Sequence, residues 1–229
     1  MPAKDEPVDT AIKSVIGTTQ RGRKKVITMV QRIHPEFSSS KIRRVYEQKD
    51  YALYRKPTKK RYQIPANPAF IPLKENCEWA IDFMHDTLES GRQIRSLNII
   101  DPFNRMCKGM FINFSMPASR VIIMMERAIE RYGKPASIRT DNGPEFISKR
   151  FQLWMKGNEI KWLRIRKGSP QENCFIERFN RTAREDLFDA NIFLNLENAN
   201  EKASEFKDEY NQVRPHESLN NKTPLEYAA

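Results

Sequence analysis

The sequence predicts an α/β fold, a mixed sheet with flanking helices, preceded by a small basic helical segment. Three observations predict it. From about residue 76, stretches with strand alternation are interleaved with stretches of helical periodicity. Ahead of that, the apolar residues recur only at helical spacing, and a proline-rich basic stretch divides the two textures.

Residues 1–20 show no sustained periodicity and are expected to be flexible. RGRKK at 21–25 leads into VITMVQRIH, where Val26, Ile27, Val30 and Ile33 share a helical face that Pro35 ends. Ser38, Ser39 or Ser40 can cap a second helix, KIRRVYEQKDY, with Ile42, Val45 and Tyr46 inward and Lys41, Arg43 and Arg44 outward. Two short helices around a tight turn make residues 21–56 a helix-turn-helix-like DNA-binding segment, with Arg43 and Arg44 as candidate contacts. Residues 57–75 hold Pro57, Pro65, Pro68 and Pro72 and read as a linker, where Lys59 and Lys60 are further candidate DNA contacts.

Residues 76–229 are expected to form the core, with a helical tail at the end. EWAIDFM sets Trp79, Ile81 and Phe83 against Ala80, Asp82 and Met84, a strand with an acid in its middle. That acid is costly unless paired or metal-bound. After a turn near Ser90 and Gly91, GRQIRSLNIIDPF and CKGMFINF complete an antiparallel meander. Asp101 precedes Pro102 and reads as a turn cap. ASRVIIMMERAIERYGKP is a helix with Val121, Ile122, Met125, Ala128, Ile129 and Tyr132 inward, stopped by Gly133 and Pro135. ASIRTDNGPEF is a strand breaking at Asp141, with Asn142 and Gly143 free to take positive φ and Pro144 opening a helix. The helix ISKRFQLWMKG, the strand EIKWLRI and the loop RKGSPQEN follow. In these, Trp154 and Trp162 read as core.

The next helix puts Phe175, Phe179 and Ala183 on one stripe and Glu177 nearly opposite, beside Asn173, Asn180, Arg181 and Arg184. Arg164, Arg166, Lys167, Arg178, Arg181 and Arg184 form a basic rim suited to DNA phosphates. His216, in RPHESLN, orders a turn beneath this helix.

The net charge is +11, and residues 1–77 hold 17 Lys+Arg against 7 Asp+Glu, whereas the remainder holds 23 against 22. So concentrated an excess points to a polyanion. Three scattered cysteines form no disulfide framework or zinc knuckle, and His34, His85 and His216 form no ligand pair. The N-terminus has no signal-peptide pattern, and the aliphatic run Val121 to Met125 is far shorter than the roughly 18 residues of a span, so no membrane partner is expected.

Asp82, Asp141 and Glu177, the last two with 35 residues between them, make an oxygen-donor set suited to hard divalent cations. Paired ions activate an attacking oxygen and stabilise a leaving one, the requirement of phosphodiester chemistry. The motifs WAIDF, IRTDNGPEF and KGSPQENCFIERFN, followed by YNQVRPHESLNNKTPLEY, resemble the DDE core of bacterial insertion-sequence transposases related to retroviral integrases, most closely the OrfB proteins of the insertion-sequence-three family. The resemblance covers residues 76–229, with a weaker one over 24–56. It implies a ribonuclease-H-like fold and a transposase that cleaves and transfers DNA strands at element ends. It further implies Asp82, Asp141 and Glu177 as catalytic metal ligands for Mg²⁺ or Mn²⁺, two ions per site, with Asn142, Asn173 and Asn180 supporting them. The implied partners are double-stranded DNA, further copies of the chain and a product of an upstream reading frame supplied by fusion; the implied location is the bacterial cytoplasm, at the nucleoid. Two departures stand out: FSSSKIRR where the family has an aromatic-Gly-x-Arg-Arg pattern, and Arg178 where relatives carry a small serine. The alternative is a catalytically inactive DNA-binding relic or repressor that keeps the fold.

Overall fold

The structure is a computed structural model and describes residues 5–16, 22–51, 71–165 and 170–229. Three helices open the chain, α1 (Glu6–Ile16), α2 (Arg23–Ile33) and α3 (Ser39–Gln48), and they close on their own core of Val8, Ile12, Val26, Val30, Ile42 and Val45. The first of them corrects the expectation of a flexible 1–20. Val8, Ala11, Ile12 and Val15 fall at i, i+3, i+4 and i+7 and are buried, a stripe only two turns long that gains its stability from α2 and α3 rather than from its own length. Tyr51 Oη donates to Asp9 Oδ1 at 2.6 Å, and Arg44 reaches Asp5 at 2.6 Å, so both ends of the unit are tied. Ser38 is the residue that caps α3, accepting from Lys41 N–H. The basic linker expected at 57–75 lies largely outside the described residues, which resume at residue 71.

The sheet has the order β3-β2-β1-β4-β5. β1 (Glu78–Thr87), β2 (Gln93–Ile100) and β3 (Cys107–Asn113) form the antiparallel meander, while β4 (Ser137–Thr140) and β5 (Lys161–Arg164) run parallel to β1. Gly91 turns the first hairpin at φ +77°. Asp101 caps the second turn as expected: Oδ1 accepts from Phe103 N–H at 2.9 Å and Oδ2 from Asn76 N–H at 2.8 Å.

Both faces of the sheet are covered, so strand alternation sorts side chains between two cores rather than between core and water. Trp79, Ile81, Leu97, Ile99 and Ile138 share one cluster with residues of α4 (Ala118–Tyr132), α5 (Pro144–Ile147) and α6 (Lys149–Gly157). Ala80, Met84, Ile94, Ile100 and Met110 share the other with α7 (Cys174–Ala183) and α8 (Leu196–Gln212). A short helix, α9 (Pro224–Ala228), ends the chain with a capping box on Thr223. Trp154 and Trp162 are half-buried against the first core, as expected.

α8 also seals the outer edge of β3. The Asn211 side chain accepts from Cys107 N–H at 2.9 Å and donates to Cys107 C=O at 3.0 Å. Asn200 does the same for Ile112, at 3.1 and 3.0 Å. Each amide stands in for the peptide group of a neighbouring strand. Replacing Asn211 by Leu leaves a buried N–H and C=O unpaired and should cost about 1–3 kcal/mol, measured by urea unfolding. A loss no larger than that of an exposed control such as Glu201→Ala would show that the clamp does not stabilise the fold.

Candidate active site

Asp82 lies on the α7 side of β1, flanked at i−2 and i+2 by Ala80 and Met84 of that core. Ionised carboxylates pay heavily in such a place, and burial is the first cause that pushes Asp82 up to about 6, followed by the charges of Asp141 and Glu177. The Phe83 N–H and the Asn180 side chain act in the opposite sense.

α7 supplies that amide. A 3₁₀ turn over Pro170–Asn173 feeds the helix, which buries Ile176, Phe179 and Ala183. The stripe differs from the expected one at its first member: Ile176 is buried, while Phe175 sits at the margin with the Arg105 guanidinium 4.0 Å over its ring. The buried arc is thereby turned toward Asn180, which comes to the border between the apolar and polar faces. From there Asn180 Nδ2 donates to Asp82 Oδ2 at 2.8 Å. Glu177 stands exposed on the polar face, as expected.

Two residues not singled out from the sequence complete the contact. Asn98 Nδ2 donates to Asn180 Oδ1 at 2.8 Å, and Ser96 Oγ donates to Asn98 Oδ1 at 2.6 Å. Asn98 is the cross-strand partner of Asp82 and is fully buried. Ser96 and Asn98 alternate with apolar neighbours along β2, but the pairing that sets Asn98 opposite Asp82 is a fact of register that the sequence does not display.

Asp141 follows β4 and is exposed, its Oδ1 accepting from Gly143 N–H at 3.0 Å. The expected positive φ is not found here. Gly143 has φ −60° and Asn142 is not left-handed. What favours glycine is space, because a Cβ at 143 would lie 3.1 Å from Asp141 Oδ1 and 3.3 Å from Glu145 Oε2. Asn142 donates to Ile165 C=O at 3.1 Å and ties this turn to the end of β5. Asn173 is buried with its Oδ1 unpartnered.

The basic candidates divide by what already holds them. Arg184 is bound to Asp86 and donates to His85 C=O at 2.6 Å, clamping α7 to β1, so a phosphate would have to displace that pair. Arg164 lies over the Trp162 ring at 3.8 Å. Arg43 pairs with Glu47 at 3.1 Å and Arg44 with Asp5 at 2.6 Å, both on exposed surface. Arg178 and Arg181 are exposed on α7. Lys59, Lys60, Arg166 and Lys167 lie outside the described residues. His216 orders its turn as expected, with its N–H on Lys222 C=O and its ring 4.9 Å from that of Tyr210, which in turn meets Phe179 of α7. Burial, then the nearby Lys25 and Arg214, push it down to about 3, which favours the neutral imidazole.

Asp141 and Glu177 both lie within electrostatic reach of Asp82, and carboxylates are the donors that a hard divalent cation would take. Among the described residues no three His, Cys, Asp or Glu side chains are already drawn together tightly enough to hold one. No helix among them is long and apolar enough to cross a membrane.

Two family profiles described as integrase core domain match residues 72–170 and 158–224. A 39.2 kDa protein of insertion element IS476 from Xanthomonas euvesicatoria is 30% identical over 200 residues, covering 86% of this chain and 58% of that protein. A 31.7 kDa protein of IS407 from Burkholderia multivorans is 29% identical over 208 residues, covering 91% of this chain and 75% of that protein. The chain thus spans little more than half the length of the first relative. The structure of the HTLV-2 integrase catalytic core domain in complex with magnesium superposes with a TM-score of 0.55 at 25% identity, covering 69% of this chain and 99% of that one.

The shift on Asp82 has a sign that can be measured. Its folded value of about 6 lies above the unfolded one of about 4, so the folded protein binds the extra proton and loses stability as pH rises through that window. Asp82→Asn carries no such cost. In EDTA the variant should be more stable than wild type by up to about 3 kcal/mol at pH 7, with the gap closing near pH 4. Melting curves at both pH values check it, and a gap independent of pH would refute the assignment.

Proposed function

The chain belongs to the integrase core family that insertion-sequence transposases share with retroviral integrases, and on that premise we propose that it cleaves and rejoins DNA strands at the ends of a mobile element. The observation that carries this reading is Asp82, half-buried on the sheet, held by Asn180 and under the charges of Asp141 and Glu177. These three side chains would hold two divalent ions, Mg²⁺ or Mn²⁺. Bound there, the ions would supply charge stabilisation and an activated oxygen for in-line displacement at phosphorus.

The chain's own residues do the rest. Asp82 gives a ligand fixed to the sheet, Asp141 one held by the Gly143 N–H, and Glu177 one on a helix surface. Arg178 and Arg181, exposed on the same helix, take phosphates of the scissile strand. Hydrolysis adds water across a phosphodiester, leaving a 3′-hydroxyl and a 5′-phosphate. In transfer that 3′-hydroxyl displaces a 3′-oxygen of the target strand, so one phosphodiester forms as another breaks and no external energy source is needed. Double-stranded DNA and further copies of the chain are the proposed partners, joined by the product of an upstream frame, all in the bacterial cytoplasm at the nucleoid.

A catalytically idle DNA-binding protein is the second reading, since among the described residues no three His, Cys, Asp or Glu side chains form a ready metal cluster. One experiment separates the two. With Mn²⁺ and a labelled duplex carrying an element end, the wild type should cleave, and Asp82→Asn, Asp141→Asn and Glu177→Gln should each lose at least about a hundredfold in rate. DNA affinity should stay within about threefold, because phosphate contacts come from other side chains. A wild type with no cleavage supports the idle reading, and wild-type cleavage by one variant removes that residue from the site. Arg181→Glu, by contrast, should weaken DNA binding and lower the salt slope by about 1 without altering the dependence on Mn²⁺.

A further inference from the structure

We propose that Ser96 and Asn98 are positioning residues that act on Asp82 through Asn180, as a one-way hydrogen-bond relay. The relay rests on the metal-site reading above and adds to it the residues that set the orientation of its sheet-bound ligand.

An ionised carboxylate can only accept hydrogen bonds, which fixes the direction of everything behind it. Asn180 must turn its NH₂ to Asp82 Oδ2, so its Oδ1 faces back toward the sheet and needs a donor. Asn98 Nδ2 is that donor, so Asn98 Oδ1 in turn faces along β2 and needs another. Ser96 Oγ closes the chain, since a hydroxyl can donate. No amide in the series can flip without setting two acceptors or two donors against each other.

The sheet explains why these residues reach. Asn98 is opposite Asp82 in the β1–β2 register and Ser96 is two residues away on the same strand, so all three project toward α7. Asn98 and Ser96 are buried, where an amide with a wrong partner costs far more than at a surface. Asp82 Oδ2 is thereby committed to Asn180 and the carboxylate plane is set before any ion arrives. Buried polar groups need partners in any fold, so satisfaction alone would give these contacts a structural role. Positioning makes a different claim, that the effect of Ser96 reaches the metal only through Asn180.

The test is Mn²⁺ binding to the full-length protein without DNA, read by the electron paramagnetic resonance of free Mn²⁺, beside the Mn²⁺ dependence of cleavage. Ser96→Ala, which removes one hydroxyl and should fold, is expected to weaken Mn²⁺ binding roughly three- to fivefold. Asn98→Ala and Asn180→Ala are expected to weaken it about tenfold, with KM for DNA unchanged. The decisive measurement is the double variant: Ser96→Ala should add nothing in an Asn180→Ala background. Wild-type Mn²⁺ affinity in Ser96→Ala and Asn98→Ala, or full additivity in the double variant, overturns the relay while leaving the metal site intact. A wild type that binds no Mn²⁺ and cleaves no DNA overturns the metal reading itself, and the relay falls with it.

Discussion

A carboxylate in the middle of a strand that is buried on both faces is the constraint to which the rest of this fold answers. Asp82 cannot move to water without shifting the register that sends Trp79 and Ile81 into one core and Ala80 and Met84 into the other. Its charge must therefore be met in place. α7 meets it, and the helix is held from three directions: Phe179 and Ala183 pack on the sheet, Arg184 grips Asp86 further along β1, and Tyr210 meets Phe179 edge-on with His216 edge-on behind it. An exposed helix carrying Glu177 would be free to slide. This one is fixed because its apolar stripe and its amide serve the same strand.

The N-terminal helices answer to a different balance. Their charge excess suggests a surface waiting for phosphates, yet much of it is already engaged within the chain. Lys24 pairs with Glu217 at 2.9 Å, Arg32 with Glu226 and Asn221 C=O, and Arg43 and Arg44 with acids of their own unit. Lys25 is half-buried near Arg214 and Asp186 and pushed down to about 8, chiefly by desolvation. Exposed pairs of this kind contribute at most about 1 kcal/mol each, so a polyanion can exchange with them at little cost. The pairs set a default docking of α2 on the C-terminal segment and leave the basic residues available to a stronger competitor.

Legibility in the sequence followed the length scale of the interaction. The strands, α4 and the glycine and proline punctuation were readable because period and turn chemistry are local: Gly91, Gly133 and Pro144 all act where expected. α1 was missed because its stripe is two turns long and is stabilised by neighbours that periodicity does not reveal. Asn142 and Gly143 were misread as a left-handed turn, since an Asn-Gly pair reports that possibility whether or not the chain uses it; here glycine answers to crowding by Asp141 and Glu145. Asp82, Asp141 and Glu177 were singled out by order and spacing, and the charges of the last two act on the first. Asn98 was not, because its significance lies in a cross-strand register, a fact of pairing between segments.

The clamps that Asn200 and Asn211 place on β3 bear on how copies of this chain can meet. A sheet edge with open peptide groups invites another strand, in register and without limit, and is the usual route to fibres. Here that invitation is withdrawn on one side by two side chains three helical turns apart, while the other border, β5, is four residues long and begins and ends with a cation. Growth of a continuous intermolecular sheet is thus disfavoured at both borders among the described residues. Any association of copies would then fall to helix faces rather than to strand pairing, which favours closed assemblies over open-ended polymerisation.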